Sequence, residues 1–243
     1  MSGVHTHIAI GIPHCSRRPL LLDWMFKLLT QNWPVGINLA WIGVNDDNLP
    51  DDMPPGDRIS ALRVGIVAAA KELRAKFLWM IDDDTEPPVH AARYLLRTLE
   101  SHPEAAICAG IYGTKEPDPQ PLVWRRVGES PATFHPGEVF PCEVIGAGCM
   151  MIRMSVFNSL PLPYFRFRDA DCTSNAYESR VTFSDRQGED AYFCEKVRRA
   201  GHLVLAHGGV LATHWDTEKR IPYRLPEMVK VPLPAHVSEV PLA

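Results

Sequence analysis

Apolar positions along the first 110 residues fall into two rhythms that alternate. His7 to Ile12 is a short apolar run ending at Pro13 and reads as a strand. Pro19 to Leu29 follows with Leu20, Leu21, Trp24, Met25, Leu28 and Leu29 at helical spacing. Ile37 to Val44 is a second strand, and a loop rich in Pro and Asp runs from Asn48 to Gly56. Asp57 is placed to cap a helix whose inner face is Ile59, Leu62, Ile66, Ala69 and Leu73. Phe77 to Ile81 is uninterrupted apolar, the pattern of a central strand buried on both faces. Pro87 and Pro88 are expected to open a helix to Ser101, where first-turn amides lack partners anyway. Ala105 to Ile111 gives a fourth strand. Four strand–helix alternations predict an α/β unit with a mostly parallel central sheet and helices on both faces.

The second half has a different texture. Residues 113–141 are proline-rich with little periodicity, and Leu122 to Arg125 reads as a short strand. Val139 to Ile145 and Cys149 to Arg153 are strand-like around Gly146-Ala147-Gly148, and Ser155 to Leu160 is a short helix. Residues 161–185 read as a long functional loop. Gln187 to Ala200 is helical with Gly201 as its C′ residue, and Leu203 to Ala206 and Val210 to Ala212 are short strands. Residues 216–243 read as a Pro-rich tail, loose or docked on a neighbour, through which a homo-oligomer could form.

Composition narrows the class. The chain has 243 residues, 46% hydrophobic and 22% charged, which excludes general disorder. Its net charge of −4 excludes a protein that coats nucleic acid through overall basicity. No apolar run is long enough for a membrane helix, and Ile8 to Pro13 is too short for a signal-peptide core. Six cysteines without a C-x-x-C pair read as free thiols, and with these features point to a cytoplasmic protein.

The chemistry concentrates at strand ends. Asp82-Asp83-Asp84 emerges from the carboxyl end of the buried strand, the edge where open α/β sheets bind ligands. Turn and cap chemistry is the simpler reading of one such Asp. Three in succession repel one another unless a cation is present, which favours Mg²⁺ or Mn²⁺. Glu189 and Asp190 start the late helix, where the helix dipole welcomes carboxylates and where Asp190 could act as a general base. His214, just after Val210-Leu211-Ala212, is either structural or a third metal ligand; His5, His7, His14 and His207 are weaker candidates.

Four segments in order resemble GT-A glycosyltransferases, most closely the family 2-like group. They are IAIGIPHCSRRP (8–19), LRVGIVAAAKELRAKFLWMIDDDTEPP (62–88), EVIGAGCMMIRMSVFNSL (143–160) and GEDAYFCEKVRRAG (188–201). The likeness spans residues 7 to 215. It implies one catalytic domain over 1–215, with a nucleotide-binding half (1–111) and an acceptor half (112–215). It implies a DxD motif at Asp82 and Asp84, with Asp83 between them, meeting ribose or metal and the diphosphate. Asp190 would be the base of an inverting enzyme, beside Glu189. His214 would complete the metal site with Asp82 and Asp84. Pro13, His14 and Arg63 would contact the nucleotide, Asp46 its base, and Gly148 would lie beside the sugar. The chain departs from the family at Asn45-Asp46-Asp47-Asn48, where an Asp-Asp-Gly-Ser-like turn is usual, and at Arg63-Val64, where Arg-Asn is common.

The implied activity is metal-dependent transfer of a sugar from a UDP- or GDP-sugar to a hydroxyl. The acceptor, a glycan, lipid-linked glycan, protein or modified nucleic-acid base, is open. Arg125, Arg126, Arg166 and Arg168, with Tyr164, Phe165 and Phe167, could line a groove for an anionic acceptor; the alternative is a strand with alternating faces. A nucleotidyltransferase is a rival, but it calls for a glycine-rich phosphate loop after the first strand, and Cys15-Ser16-Arg17-Arg18 has no glycine. A non-catalytic sugar-nucleotide or glycan-binding domain is another.

Overall fold

The structure, a computed structural model, describes residues 7–16, 22–169 and 186–226. In chain order the elements are β1 (Ile8–His14), α1 (Leu22–Leu29), β2 (Leu39–Asn45), α2 (Pro55–Glu72), β3 (Phe77–Ile81), β4 (Thr85–Glu86), α3 (Ala91–Ser101) and β5 (Ala105–Ile111). Then come β6 (Val123–Trp124), β7 (Val139–Pro141), β8 (Val144–Ile145), β9 (Cys149–Arg153) and a 3₁₀ turn at Met154–Asn158. β10 (Arg168–Asp169), β11 (Arg186–Gln187), α4 (Glu189–Arg199), β12 (Leu203–Leu211), β13 (Thr213–Asp216) and β14 (Ile221–Tyr223) complete the described chain.

A seven-stranded sheet in the order β2-β1-β3-β9-β5-β12-β7 forms the centre. β1 pairs in parallel with β2 and β3, and β5 with β12. The sheet is nevertheless mixed rather than mostly parallel. After β5 the chain wanders across the carboxyl edge, so β9 enters from that edge and runs back, antiparallel to both β3 and β5. Helices cover both faces, as the alternation predicts. α2 and α4 share one apolar layer through Ile66, Val67, Ala70, Phe193 and Val197. α1 and α3 share the other through Trp24, Leu28, Leu95 and Leu99. Fully buried β3 lies between the two layers. Among the described residues no helix is long and apolar enough to cross a membrane.

Several boundaries shift for physical reasons. α2 starts at Pro55 behind Pro54, because two successive prolines preset the first turn; Asp57 sits inside that turn and makes no cap. α3 starts at Ala91, not at Pro87, because Thr85 and Glu86 are still extended in β4 and pair with β13. Val139 to Ile145 divides into β7 and β8, which belong to different sheets. The two short strands expected at Leu203 and Val210 are one: β12 runs through the glycines, and its register shifts between His207 and Leu211, across Gly208 and Gly209. Gly201, at φ +85°, closes α4 as its C′ residue. Part of the expected tail is ordered as β14 on β13, while residues 227–243 lie outside the described residues, as do 170–185 of the long loop. Cys15, Cys108, Cys142, Cys149 and Cys194 are free thiols.

The layer between β1 and α2 depends on a missing side chain. A Cβ on Gly11 would lie 2.3 Å from Ile66 Cγ2 and 3.1 Å from Leu78 Cδ1. Gly11→Ala is expected to lower unfolding stability by about 1–3 kcal/mol in urea titration, the usual cost of overpacking. An unchanged midpoint would contradict this contact.

Candidate functional site

One edge of the sheet collects the candidate residues. β1 ends at His14, β2 at Asn45 before Asp46, and β3 at Ile81 before Asp82. β9 begins just after Gly148 at the same edge. β13 pairs antiparallel with β4 so that His214 stands opposite Thr85. The Trp215 amide donates to the Asp84 carbonyl at 2.7 Å. A backbone ladder thus holds His214 against the acidic turn, although the two are far apart in sequence.

The three aspartates fan out to separate partners. Arg63 Nη2 donates to Asp82 Oδ2 at 3.0 Å, Nη1 lies 2.9 Å from Oδ1, and Nε donates to Glu189 Oε1 at 3.1 Å. Arg63 is buried; desolvation works against its charge, but the Asp82 and Glu189 carboxylates outweigh it and hold it protonated. Asp83 Oδ2 lies 2.7 Å from His14 Nδ1 and accepts the Cys15 amide at 3.3 Å. Burial first, opposed by the His14 bond and aided by the neighbouring Asp84 and Asp82, raises the Asp83 carboxyl above its ordinary range. Asp84 Oδ2 accepts from Lys115 Nζ at 2.7 Å, and Oδ1 lies 3.6 Å from His214 Nε2. Burial would raise Asp84, but His214 and Lys115 prevail and hold it well below the usual carboxylate range.

His214 carries the information about a metal. Its Nδ1 lies 2.8 Å from the Gly113 carbonyl, which only accepts, so Nδ1 carries the proton. Nε2 then faces Asp84 Oδ1 across 3.6 Å, and the same Oδ1 accepts from the Thr85 hydroxyl at 3.4 Å. A backbone carbonyl on one ring nitrogen, with the other turned to the metal, is how metal-binding histidines are oriented. Mn²⁺ or Mg²⁺ fits this O/N pair, with open positions left for phosphate oxygens. Asp82 is paired with Arg63 instead: Oδ2 accepts its hydrogen bond, while buried Oδ1 lies 2.9 Å from Nη1 without a hydrogen-bond partner. Among the described residues no three His, Cys, Asp or Glu side chains converge on one point.

Beside the acidic turn lies a cleft of about 430 Å³. Its walls include the apolar groups of Pro13, Pro55, Ile59 and Leu62, and its polar groups include Asp46, Arg58, Arg63, the three aspartates and Glu189. Asp46 is fully engaged: Oδ1 accepts the Ser16 amide at 2.9 Å and hydroxyl at 2.7 Å, and Oδ2 accepts from Arg58 at 3.2 Å. Those Ser16 bonds hold its carboxyl far below the ordinary range. Asp46 therefore shapes the cleft by anchoring the loop after β1.

Gly148 is fixed by crowding. A Cβ there would lie 2.7 Å from Thr85 Oγ1, 2.9 Å from the Tyr112 hydroxyl and 3.0 Å from Asp82 Oδ2. Its amide donates to Tyr112 Oη at 3.0 Å, and its carbonyl accepts the Asp82 amide at 3.1 Å. Asp190 lies in the first turn of α4, with Oδ1 accepting the Ala191 amide at 2.7 Å. Burial, then the Glu189 charge, push its carboxyl up to about 7. That is the range of a general base near neutral pH.

Tyr112 and Lys115 are the site residues that the sequence reading misses. Both follow β5 at the same carboxyl edge, and that position is their one available signal. Two members of the expected aromatic–arginine groove take core positions instead, and the Arg168 side chain lies outside those described. Tyr164 and Phe165 are buried, with Phe165 packed at 4.4 Å on Phe193 and Tyr164 bonded to Lys71 at 2.6 Å. They serve the core beneath α2 and α4. His207 is also structural: its Nδ1 accepts the Gly209 amide and its ring stacks on Tyr94.

No family model and no curated protein matches the chain. Among solved structures its fold is similar to that of the protein described as A197 from STIV, with 16% sequence identity and a TM-score of 0.58. The match covers 92% of this chain and 96% of that one, and shows a shared fold.

Two outcomes follow from the charge network. Arg63→Leu leaves Asp82 and Glu189 without their shared cation and is expected to cost about 3–5 kcal/mol in chemical denaturation; a loss below about 1 kcal/mol would contradict the pairing. Asp190 is held above its ordinary value of 3.8, so the fold favours its protonated form. Its ionisation therefore lowers stability progressively from about pH 4 to about pH 7. Asp190→Asn should raise Tm at pH 8 and leave it nearly unchanged at pH 4. A lower Tm at pH 8 would reverse the sign assigned here.

Proposed function

We propose that the chain is a GT-A-type glycosyltransferase that moves a sugar from a nucleoside-diphosphate donor to an acceptor hydroxyl. The observation that carries this reading is the Asp84–His214 pair, 3.6 Å apart at the acidic turn, beside a cleft that Asp84 lines together with apolar groups. Such a cleft suits a nucleobase against Ile59, Leu62, Pro13 and Pro55, and a diphosphate at the acidic turn. Asp84 and His214 would hold the divalent cation, which when bound supplies positive charge to stabilise a departing diphosphate.

The chain's own residues divide the remaining work. Arg63 orients Asp82 toward the ribose or sugar hydroxyls and keeps its charge in place. Gly148 lets Thr85, Tyr112 and Asp82 pack against its backbone and so helps hold Asp82 in place. Asp190 accepts the proton of the acceptor hydroxyl as that oxygen attacks the anomeric carbon from the side opposite the diphosphate, with inversion. The described residues after β1, Cys15 and Ser16, argue against the nucleotidyltransferase alternative. The Cys15 and Ser16 amides are bonded to Asp83 and Asp46, so they are not available to cradle a triphosphate.

The experiment is release of free nucleoside diphosphate from a panel of nucleotide sugars, with Mn²⁺ or with EDTA. Metal-dependent release from one donor is expected. Asp84→Ala should reduce it at least 100-fold and weaken metal-dependent donor binding. Asp190→Asn should abolish transfer while leaving donor affinity within a few-fold. No binding of any donor with Mn²⁺ would overturn the proposal, and unchanged turnover in Asp190→Asn would overturn the base assignment.

A further inference from the structure

α1 is apolar on two sides. Trp24 and Leu28 face the core, and Leu22, Met25, Phe26 and Leu29 form a second stripe at i, i+3, i+4 and i+7. Leu22 is 81% exposed, Phe26 68% and Leu29 62%. The stripe borders an edge of the main sheet. Trp41 of β2 pairs with Ile10 of β1, so its side chain stands on the α1 face, and it is 45% exposed.

β2 is itself an unguarded edge. It is seven residues long, Leu39 to Asn45, and among the described residues it pairs with β1 alone, in unbroken register. It carries no charge, proline or bulge, the devices by which edge strands usually avoid one another. The opposite edge, β7, has three residues and ends in a proline.

We propose that a second copy of this chain occupies this surface, by antiparallel pairing of β2 with its two-fold mate and packing of the α1 stripes and Trp41 across the seam. The apolar area and the unguarded β2 edge favour a second copy. The exposed apolar side chains amount to on the order of 600 Å², comparable with the roughly 800 Å² that each partner contributes to a standard interface. The two sheets would become one continuous sheet, with the two clefts outside the seam. The surface is distinct from the C-terminal tail that the sequence offered as an oligomer contact.

Sedimentation equilibrium of the full chain tests this. The wild type is expected at twice 27.2 kDa at micromolar concentration. Phe26→Glu and Trp41→Lys, both at exposed positions and each checked for an unchanged circular dichroism spectrum, should weaken dimerisation at least 100-fold. A monomeric wild type would overturn the proposal, whether residues 227–243 or another molecule covers the face. Recovery of that monomer on phosphatidylglycerol vesicles would assign the stripe to lipid instead. A dimer that neither substitution weakens would also overturn it.

Discussion

Carboxylates crowded at the end of a buried strand repel one another with energies of several kcal/mol unless positive charge is placed among them. Asp82, Asp83 and Asp84 impose that constraint, and much of the surrounding structure answers it. Arg63 from α2 and Lys115 from the segment after β5 bring positive charge, and His14 from β1 and His214 from β13 bring ring nitrogens. Four separate parts of the chain are thereby tied to one turn. The Arg63 guanidinium does more than neutralise Asp82, because it also reaches Glu189 and so joins α2, the end of β3 and the start of α4.

The same constraint divides the turn chemically. Asp82 and Asp83 are held by Arg63 and by His14, and each has its orientation set by the protein. Asp84 is different: Lys115 takes one oxygen, and the other lies 3.6 Å from Nε2 of His214, whose Nδ1 faces the Gly113 carbonyl. This difference between Asp82 and Asp84 is the basis for placing a divalent cation at Asp84 and His214 rather than between Asp82 and Asp84.

The α/β alternation and the gathering of Asp82–Asp84, Asp46, His14 and Arg63 at one edge are legible in the sequence because apolar runs and strand ends are local signals. The mixed sheet is not, since the direction of β9 depends on the long excursion of residues 112–148. Capping preferences misplace the helix starts at Asp57 and Pro87, because the prolines and the β4–β13 pairing override them. The acidic triplet in sequence calls for a metal. The protein supplies two cations itself, Arg63 and Lys115, and Lys115, after a strand with no motif, gives no signal beyond its position. The PYFRF segment has the composition of a stacking groove, yet Tyr164 and Phe165 are core, because composition does not reveal which face a side chain takes.

The proposed function places one cation at the acidic turn, between Asp84 and His214. A crystal of the protein grown with Mn²⁺ and a nucleoside diphosphate, measured for anomalous scattering at the manganese edge, tests it most directly. The account predicts a peak within bonding distance of Asp84 Oδ1 and His214 Nε2, with diphosphate oxygens completing its shell and Arg63 still on Asp82. Full occupancy of the nucleotide with no peak there, or a peak held by Asp82 with Arg63 displaced, would contradict it.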